Sequence, residues 1–180
     1  MKRILVLMLV MLSISGGAVF AKNVIPQIST ANDVYIQKGS YYAVMQSAIN
    51  DWLKISNYRI IANIGSSKTM NNIANIEFLF NSNAKDGLIQ SGTKRNTGIS
   101  YQRFNINTKN LSKGQLQAKC RHYAGAAFGV KESNNKASVM YKQPLDNQKI
   151  LIEDINNFYS VQGIRGKIPN NVLKKSGSKK

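Results

Sequence analysis

The side chains best suited to nucleophilic chemistry in this sequence are Cys120 and His122, its only thiol and its only imidazole. A catalytic thiolate must lie within hydrogen-bond reach of its base. Residues two apart on a helix point to different faces, so this pair cannot act together on the helix expected there. We therefore expect Cys120 to be a buried small hydrophobe and His122 to be a solvated surface residue.

Metal and cofactor chemistry also finds little support. One Cys and one His exclude a four-ligand Cys and His zinc site and any intrachain disulfide. No phosphate-cradling glycine loop occurs, and the four-residue spacing of Gly125 and Gly129 favours close helix packing instead. The sequence predicts no metal and no small-molecule cofactor.

The carboxylates show no catalytic spacing. Glu153 and Asp154 are adjacent and diverge around a helix, and the others are scattered: Asp33, Asp51, Glu77, Asp86, Glu132 and Asp146. Folding could still assemble a glycosidase pair, although the sequence shows no sign of one. We therefore expect a non-enzymatic protein, and a small secreted hydrolase or toxin is the least favoured alternative.

Positive charge is the strongest functional signal. The chain has 25 Lys and Arg against 8 Asp and Glu, a formal charge of +17. Such a charge attracts polyanions, which include DNA, anionic lipid headgroups and acidic envelope polymers. The candidate contacts lie on a loop, a strand, a helix and the tail: Lys94, Arg95, Arg103, Lys119, Arg121, Lys174, Lys175, Lys179 and Lys180. A solubilising basic surface without a dedicated ligand is an equal alternative, because no aromatic ladder is interleaved with these residues.

The N-terminus predicts export. Lys2 and Arg3 precede an apolar run at residues 4–12, and Val19-Phe20-Ala21 offers small residues for a signal peptidase. The run is shorter than the roughly 20 apolar residues that span a bilayer, so a cleaved signal peptide is favoured over an anchor. We expect cleavage after Ala21. Richness in Asn, Lys and Ile favours a bacterial source, and hence a periplasmic or secreted protein.

Periodicity indicates the elements that would carry these residues. Alternating apolar and polar residues predict strands at 34–36, 58–64, 76–80, 99–106 and 137–141, with a bulge in the fourth. Apolar spacing predicts a helix from Tyr41, capped by Ser40 and ending near Ser56, and another at 148–159. A third follows the capping box of Ser112 and Gln115. Residues 90–98 look like a polar loop with a basic tip.

These elements predict an α+β fold, a small mostly antiparallel sheet with about three packed helices. The expected organisation is a signal peptide at 1–21, a linker at 22–32, one domain at 33–165 and a basic disordered tail at 166–180. Two small modules, 33–107 and 108–165, are the alternative to a single domain. Residues 49–59 resemble residues 155–165, which either a duplication or chance would explain.

A family resemblance rests on a strand ending in Gly-Ser, a helix carrying a Trp, and an aromatic residue before a strand. These are residues 34–40, 48–53 with Trp52, and Asn57-Tyr58-Arg59-Ile60. The pattern covers about 30 residues and resembles the periplasmic modules of the toxin-coregulated pilus biosynthesis protein Q type. Those modules are similar to the short N-terminal domains of secretins and TonB-dependent receptors. The resemblance implies a non-enzymatic periplasmic part of a pilus, secretion or conjugation machine, with other envelope-machine proteins as partners.

Two functions are therefore expected ahead of the others. The first is an exported binding or assembly module of a bacterial envelope machine. The second is a secreted basic protein that binds polyanions such as DNA or an anionic envelope surface.

Overall fold

The structure, a computed structural model, describes residues 32–93, 100–166 and 168–170. The predicted signal peptide, almost all of the linker, the basic loop tip and most of the tail lie outside these residues. The described elements are β1 (Asn32–Ile36), α1 (Tyr42–Ile55), β2 (Ala62–Gly65), α2 (Lys68–Ile73), β3 (Ile76–Phe80), β4 (Gly87–Thr93), β5 (Ser100–Ile106), α3 (Lys113–Ala127) and α4 (Ile152–Val161).

The strands form a five-stranded sheet in the order β2-β1-β3-β5-β4. β1 is parallel to both β2 and β3, and β3 is parallel to β5, whereas β4 is antiparallel to β5. The α+β class is confirmed, but the prediction of a mostly antiparallel sheet is wrong. The physical reason is that α1 and α2 are crossover connections, which return the chain to the sheet in the same direction.

The core lies between one face of the sheet and the helices α1, α3 and α4. The predicted stripe of α1 is confirmed, since Met45, Ala48, Ile49, Trp52 and Leu53 are buried. It packs in one cluster with side chains from the sheet and the later helices: Val34, Ile36, Phe78, Phe104, Ile106, Cys120, Ala124, Ile155 and Phe158. Because this cluster draws on residues from 34 to 164, both halves of the chain share one core.

The helix-capping prediction at Ser112 is confirmed. Its hydroxyl accepts a hydrogen bond from the backbone N–H of Gln115, and the Gln115 side chain accepts one from the backbone N–H of Ser112. Gly129, at φ +80°, follows the end of α3 as predicted. Ser40 is not the cap of α1, because the helix begins one residue later and Tyr41 occupies that position without a side-chain hydrogen bond.

Several predicted boundaries are wrong around the edges of the sheet. β2 starts at Ala62 rather than at 58, because Asn57 and Tyr58 take left-handed backbone angles of φ 54° and 57° in the preceding turn. No strand is predicted at 87–89 and a loop is predicted at 90–98, whereas residues 87–93 form β4. The bulge lies in β4, between Leu88 and Gln90, rather than in β5.

Two further differences concern short segments. Residues 137–141 are not a strand of the sheet; they lie in a turn-rich segment held by isolated bridges from Ser133 to Tyr141 and from Ser138 to Lys149. Conversely, the six-residue helix α2 was not predicted. Its sequence signal is Ser67, whose hydroxyl accepts a hydrogen bond from the backbone N–H of Met70.

Candidate interaction surface

The described basic residues predicted to bind polyanions are engaged by carboxylates of the protein itself. Arg103 Nε lies 2.7 Å from Glu77 Oε2, and Arg121 Nε lies 2.8 Å from Asp51 Oδ2. Lys119 Nζ lies 2.5 Å from an oxygen of Asp86. Arg103 is on the sheet and the other two are on α3, so the structure does not gather them into one patch. Lys94, Arg95, Lys174, Lys175, Lys179 and Lys180 lie outside the described residues.

Lys119 fixes the start of β4 against α3. The residue is only 7% exposed, and its Nζ also donates to the backbone oxygen of Asn107 at 2.8 Å. Asp86 accepts a second bond from the backbone N–H of Asn107 at 2.9 Å. Burial and the neighbouring Asp86 carboxylate raise the pKa of the Tyr123 hydroxyl. The contacts with Lys119 and Asn107 therefore hold Asp86, the residue just before β4, in place.

Arg103 fixes the middle of β4 from the opposite face of the sheet. Glu77 alternates with the buried residues Ile76 and Phe78, so it lies on the face away from the helices, yet it is only 3% exposed. Arg103 bridges it to β4, since its Nη1 donates to Gln90 Oε1 at 3.0 Å. The Glu77–Arg103–Gln90 chain of contacts therefore links β3, β5 and β4.

The strand held by these two networks is an open edge, which we call the β4 edge (residues 87–93). β4 is last in the strand order, and no strand in the described part of the chain pairs with its outer side. Leu88 and Ile89 are 53% and 48% exposed. Beyond the bulge, residues 90–93 stay in regular register with residues 100–103 of β5.

The composition of the β4 edge is unusual for an exposed strand. Natural edge strands are commonly shortened or carry Lys or Pro, which prevent pairing with other chains. β2, at the other edge, has only four residues. β4 has seven, Gly-Leu-Ile-Gln-Ser-Gly-Thr, and none of them is charged or a proline. The bulge between Leu88 and Gln90 is itself a feature that protects natural edges, but residues 90–93 beyond it have no charge, no proline and regular register with β5.

Sequence reasoning missed this surface. Gln90, Ser91 and Gly92 have the composition of a loop, and the bulge breaks the alternation that would have revealed a strand. The sequence signal for β4 is the adjacent apolar pair Leu88 and Ile89, which directly precedes the segment 90–98 predicted as a polar loop.

Cys120 is buried, as predicted, and fully inaccessible. Burial raises the pKa of its thiol to about 12, so the reactive thiolate is strongly disfavoured near neutral pH.

The prediction for His122 is wrong, because the side chain is half-buried and its Nδ1 lies 3.1 Å from the backbone oxygen of Val139. The segment between α3 and α4 covers this side of α3, and burial lowers the pKa of the imidazole.

The carboxylates at the start of α4 diverge as predicted. Glu153 is exposed and accepts a hydrogen bond from Ser133 Oγ, whereas the buried Asp154 accepts one from Ser138 Oγ and one from the backbone N–H of Leu151. Burial raises the pKa of Asp154. Within residues 32–93, 100–166 and 168–170, no group of three or more His, Cys, Asp or Glu could hold a metal ion.

No helix in the described ranges is both long enough and apolar enough to cross a lipid bilayer.

Comparisons with known proteins give no family for this chain. No protein-family model matches it, and no curated protein is significantly similar to it.

Proposed function

We propose that the protein is an exported, non-enzymatic binding or assembly module of a bacterial envelope machine, and that it holds its partner at the β4 edge. The single observation that supports this most strongly is the long, uncharged and open strand β4. Export is supported by the basic N-terminus, the apolar run and the small residues before position 22.

Strand addition explains how such an edge would work. An extended segment of a partner gains affinity from backbone hydrogen bonds to the edge and specificity from side-chain contacts. Leu88 and Ile89 supply exposed apolar surface for those side-chain contacts. Lys119 and Arg103 hold β4 through Asp86 and Gln90, so little ordering entropy is lost on binding.

Site-specific photo-crosslinking in the native host tests the proposal. A photoreactive amino acid replaces Ser91 on the β4 edge, and a matched substitution replaces Asn156, an exposed residue of α4. We expect a covalent adduct between position 91 and one envelope protein, and no such adduct from position 156. Equal adducts at both positions, adducts with cytoplasmic proteins alone, or no adduct would contradict the proposal.

A matched pair of charge variants sharpens this experiment. Ile89→Lys introduces the kind of charge that protects natural edges, while Val161→Lys makes the same change at an apolar residue that is 41% exposed on α4. The adduct at position 91 should fall about tenfold in the first variant and persist in the second, as expected for blocked strand pairing. An unchanged yield in Ile89→Lys would place the partner elsewhere.

The second candidate function is polyanion binding, which the excess of 25 Lys and Arg over 8 Asp and Glu supports. Asp51, Glu77 and Asp86 are each paired with one cation, so the ion pairs leave this excess unchanged. The net field of the protein is therefore positive and attracts polyanions.

A further inference from the structure

A second exposed surface lies at the opposite edge of the sheet, where the chain turns from α1 into β2. Tyr58 and Ile61 are 67% and 63% exposed, the highest values among the large hydrophobic residues described. Arg59, between them in sequence, donates from Nη1 to the backbone oxygen of Arg165 at 2.8 Å. We call Tyr58, Arg59, Ile61 and Arg165 the Tyr58 surface.

The backbone of this surface is fixed. The N–H of Tyr58 donates to the backbone oxygen of Leu53 at 3.1 Å, and that of Arg59 donates to Ser56 at 3.3 Å. Tyr159 Oη of α4 donates to the backbone oxygen of Ile55 at 2.9 Å. The turn is thus tied to both helices, so its apolar side chains are presented to solvent by an ordered backbone.

The charged residues in the two segments that form the Tyr58 surface are all positive, and the nearby carboxylate of Asp33 on β1 accepts a hydrogen bond from Asn63 Nδ2 of β2. The sequence from residue 54 to 65 and from 159 to 170 contains no Asp or Glu. Lys54, Arg59 and Arg165 are exposed in these stretches. The surface therefore combines apolar side chains with cations and lacks neighbouring carboxylates in its own segments.

The chain also enters the domain at this surface. The N–H of Asn32, the first residue of β1, donates to the backbone oxygen of Ile61 at 3.0 Å. Residues 22–31 of the processed chain are therefore joined to the domain beside Ile61. Arg165, bonded by Arg59, leads in sequence to the tail lysines 174, 175, 179 and 180.

We infer that the Tyr58 surface contacts an anionic lipid bilayer, a function separate from partner binding at the β4 edge. Tyr58 and Ile61 enter the headgroup region, where aromatic rings are favoured, and the basic side chains pair with lipid phosphates. Residues 58–61 lie outside any strand and offer a partner no ladder of backbone groups such as the β4 edge has, and two apolar side chains alone are too small a core for a stable protein interface, which buries about 1,600 Å² in total. Shallow insertion together with electrostatic attraction is sufficient for reversible bilayer binding.

Vesicle flotation tests this inference with protein purified in the processed form that accumulates in the native host. The vesicles are phosphatidylethanolamine with or without phosphatidylglycerol, which supplies the negative charge. The double variant Tyr58→Ser and Ile61→Ser is compared with Leu88→Ser and Ile89→Ser, the same loss of apolar surface at the β4 edge. We expect binding only with phosphatidylglycerol, about tenfold weaker in the first variant and nearly unchanged in the second.

A fluorescence measurement locates the contact independently. Ile61→Cys is labelled with an environment-sensitive dye and compared with Leu88→Cys; the native Cys120 is fully buried and does not compete for the label. The dye at position 61 should shift to the blue on binding, and the dye at position 88 should not.

Three outcomes would overturn the inference. They are full binding by the Tyr58 and Ile61 variant, equal loss in both double variants, and equal binding to vesicles without phosphatidylglycerol. A photo-crosslink from position 61 to a protein, without vesicle binding, would assign the surface to a protein partner instead. None of these results bears on the β4 edge, whose crosslinking is measured at position 91.

Discussion

At the scale of single residues, Gly125 marks a close approach between α3 and the rest of the core. A Cβ atom there would lie 2.6 Å from Met140 Sδ and 2.7 Å from Trp52 Cζ2. Trp52 is fully buried, and its Nε1 donates to the backbone oxygen of Arg121 at 2.9 Å. The ring is therefore anchored and cannot move aside easily.

Gly125→Ala should destabilise the protein by about 1–3 kcal/mol, the usual cost of overpacking a dense core. Urea unfolding measures the change. Gly92→Ala is the control, because its added Cβ meets only Tyr101 at 3.5 Å, an ordinary contact distance. A similar loss of stability in both variants would contradict this account of α3 packing.

His122 should titrate below its ordinary pKa of 6.5, because burial disfavours the charged imidazolium. It is the only histidine, so one imidazole resonance in a proton NMR titration reports it directly.

The lowered pKa of His122 also makes the free energy of unfolding depend on pH, because the imidazole binds its proton more tightly in the unfolded chain than in the folded one. Between the lowered pKa of the folded state and 6.5, the unfolded chain binds more protons than the folded one. The free energy of unfolding should therefore fall as the pH drops through this window, and His122→Gln should reduce the slope. A measured pKa of 6.5 or higher would refute the burial of this ring.

At the scale of elements, the similarity between residues 49–59 and 155–165 has a local explanation. α1 and α4 end with the same backbone pattern, in which the residue after the left-handed position bonds five residues back: Tyr58 to Leu53 and Ile164 to Tyr159. The left-handed positions are Asn57 at φ 54° and Gly163 at φ 62°. This shared helix-ending motif accounts for the match between Asn57 and Gly163.

Asn57→Val should therefore cost about 1–2 kcal/mol, because a β-branched residue is disfavoured in the left-handed region. Asn57→Gly should preserve or slightly raise stability. Asn156→Val, at an exposed position within α4, is the matched control. Thermal unfolding of the three variants compares them; no difference between Asn57→Val and Asn156→Val would argue against a strained cap.

The elements best predicted from sequence are those with strong periodicity. The stripe of α1, the alternation of β3 and the capping box at Ser112 each correspond to an observed element. β4 was missed because Gln90, Ser91 and Gly92 have the composition of a loop and the bulge interrupts the alternation of the strand. The false strand at 137–141 arose because Val139 and Met140 are buried by irregular backbone, where alternation has no structural meaning.

The candidate surfaces were harder to predict than the core. A strand edge becomes visible only when strand order is known, and order depends on long-range pairing that local patterns do not encode. Tyr58 looked like a strand residue because it alternates with Ile60, yet the left-handed turn exposes it.

At the scale of the whole molecule, charge is divided unevenly along the chain. Every Asp and Glu lies within the described residues, whereas the leader, the loop tip and the tail carry basic residues and no acidic ones. Polyanion binding should therefore depend strongly on the basic residues of the loop tip and the tail.

Removal of the tail after Asn171 should weaken DNA binding and flatten its salt dependence without unfolding the domain. Each phosphate contact released on duplex DNA changes the log-log salt slope by about 0.9, because condensed counterions are no longer displaced. Titrations at several salt concentrations measure both slopes. An affinity that is independent of salt would reduce the positive charge to a solubilising role.

The central claim is that the β4 edge pairs with a strand of the partner. Hydrogen exchange of the backbone amides, measured with and without the partner identified by crosslinking at position 91, tests it most directly. We expect residues 87–93 to gain protection in the complex, while β2 at the other edge exchanges as before. Unchanged exchange in β4 when the complex is saturated, or protection confined to other elements, would contradict the claim.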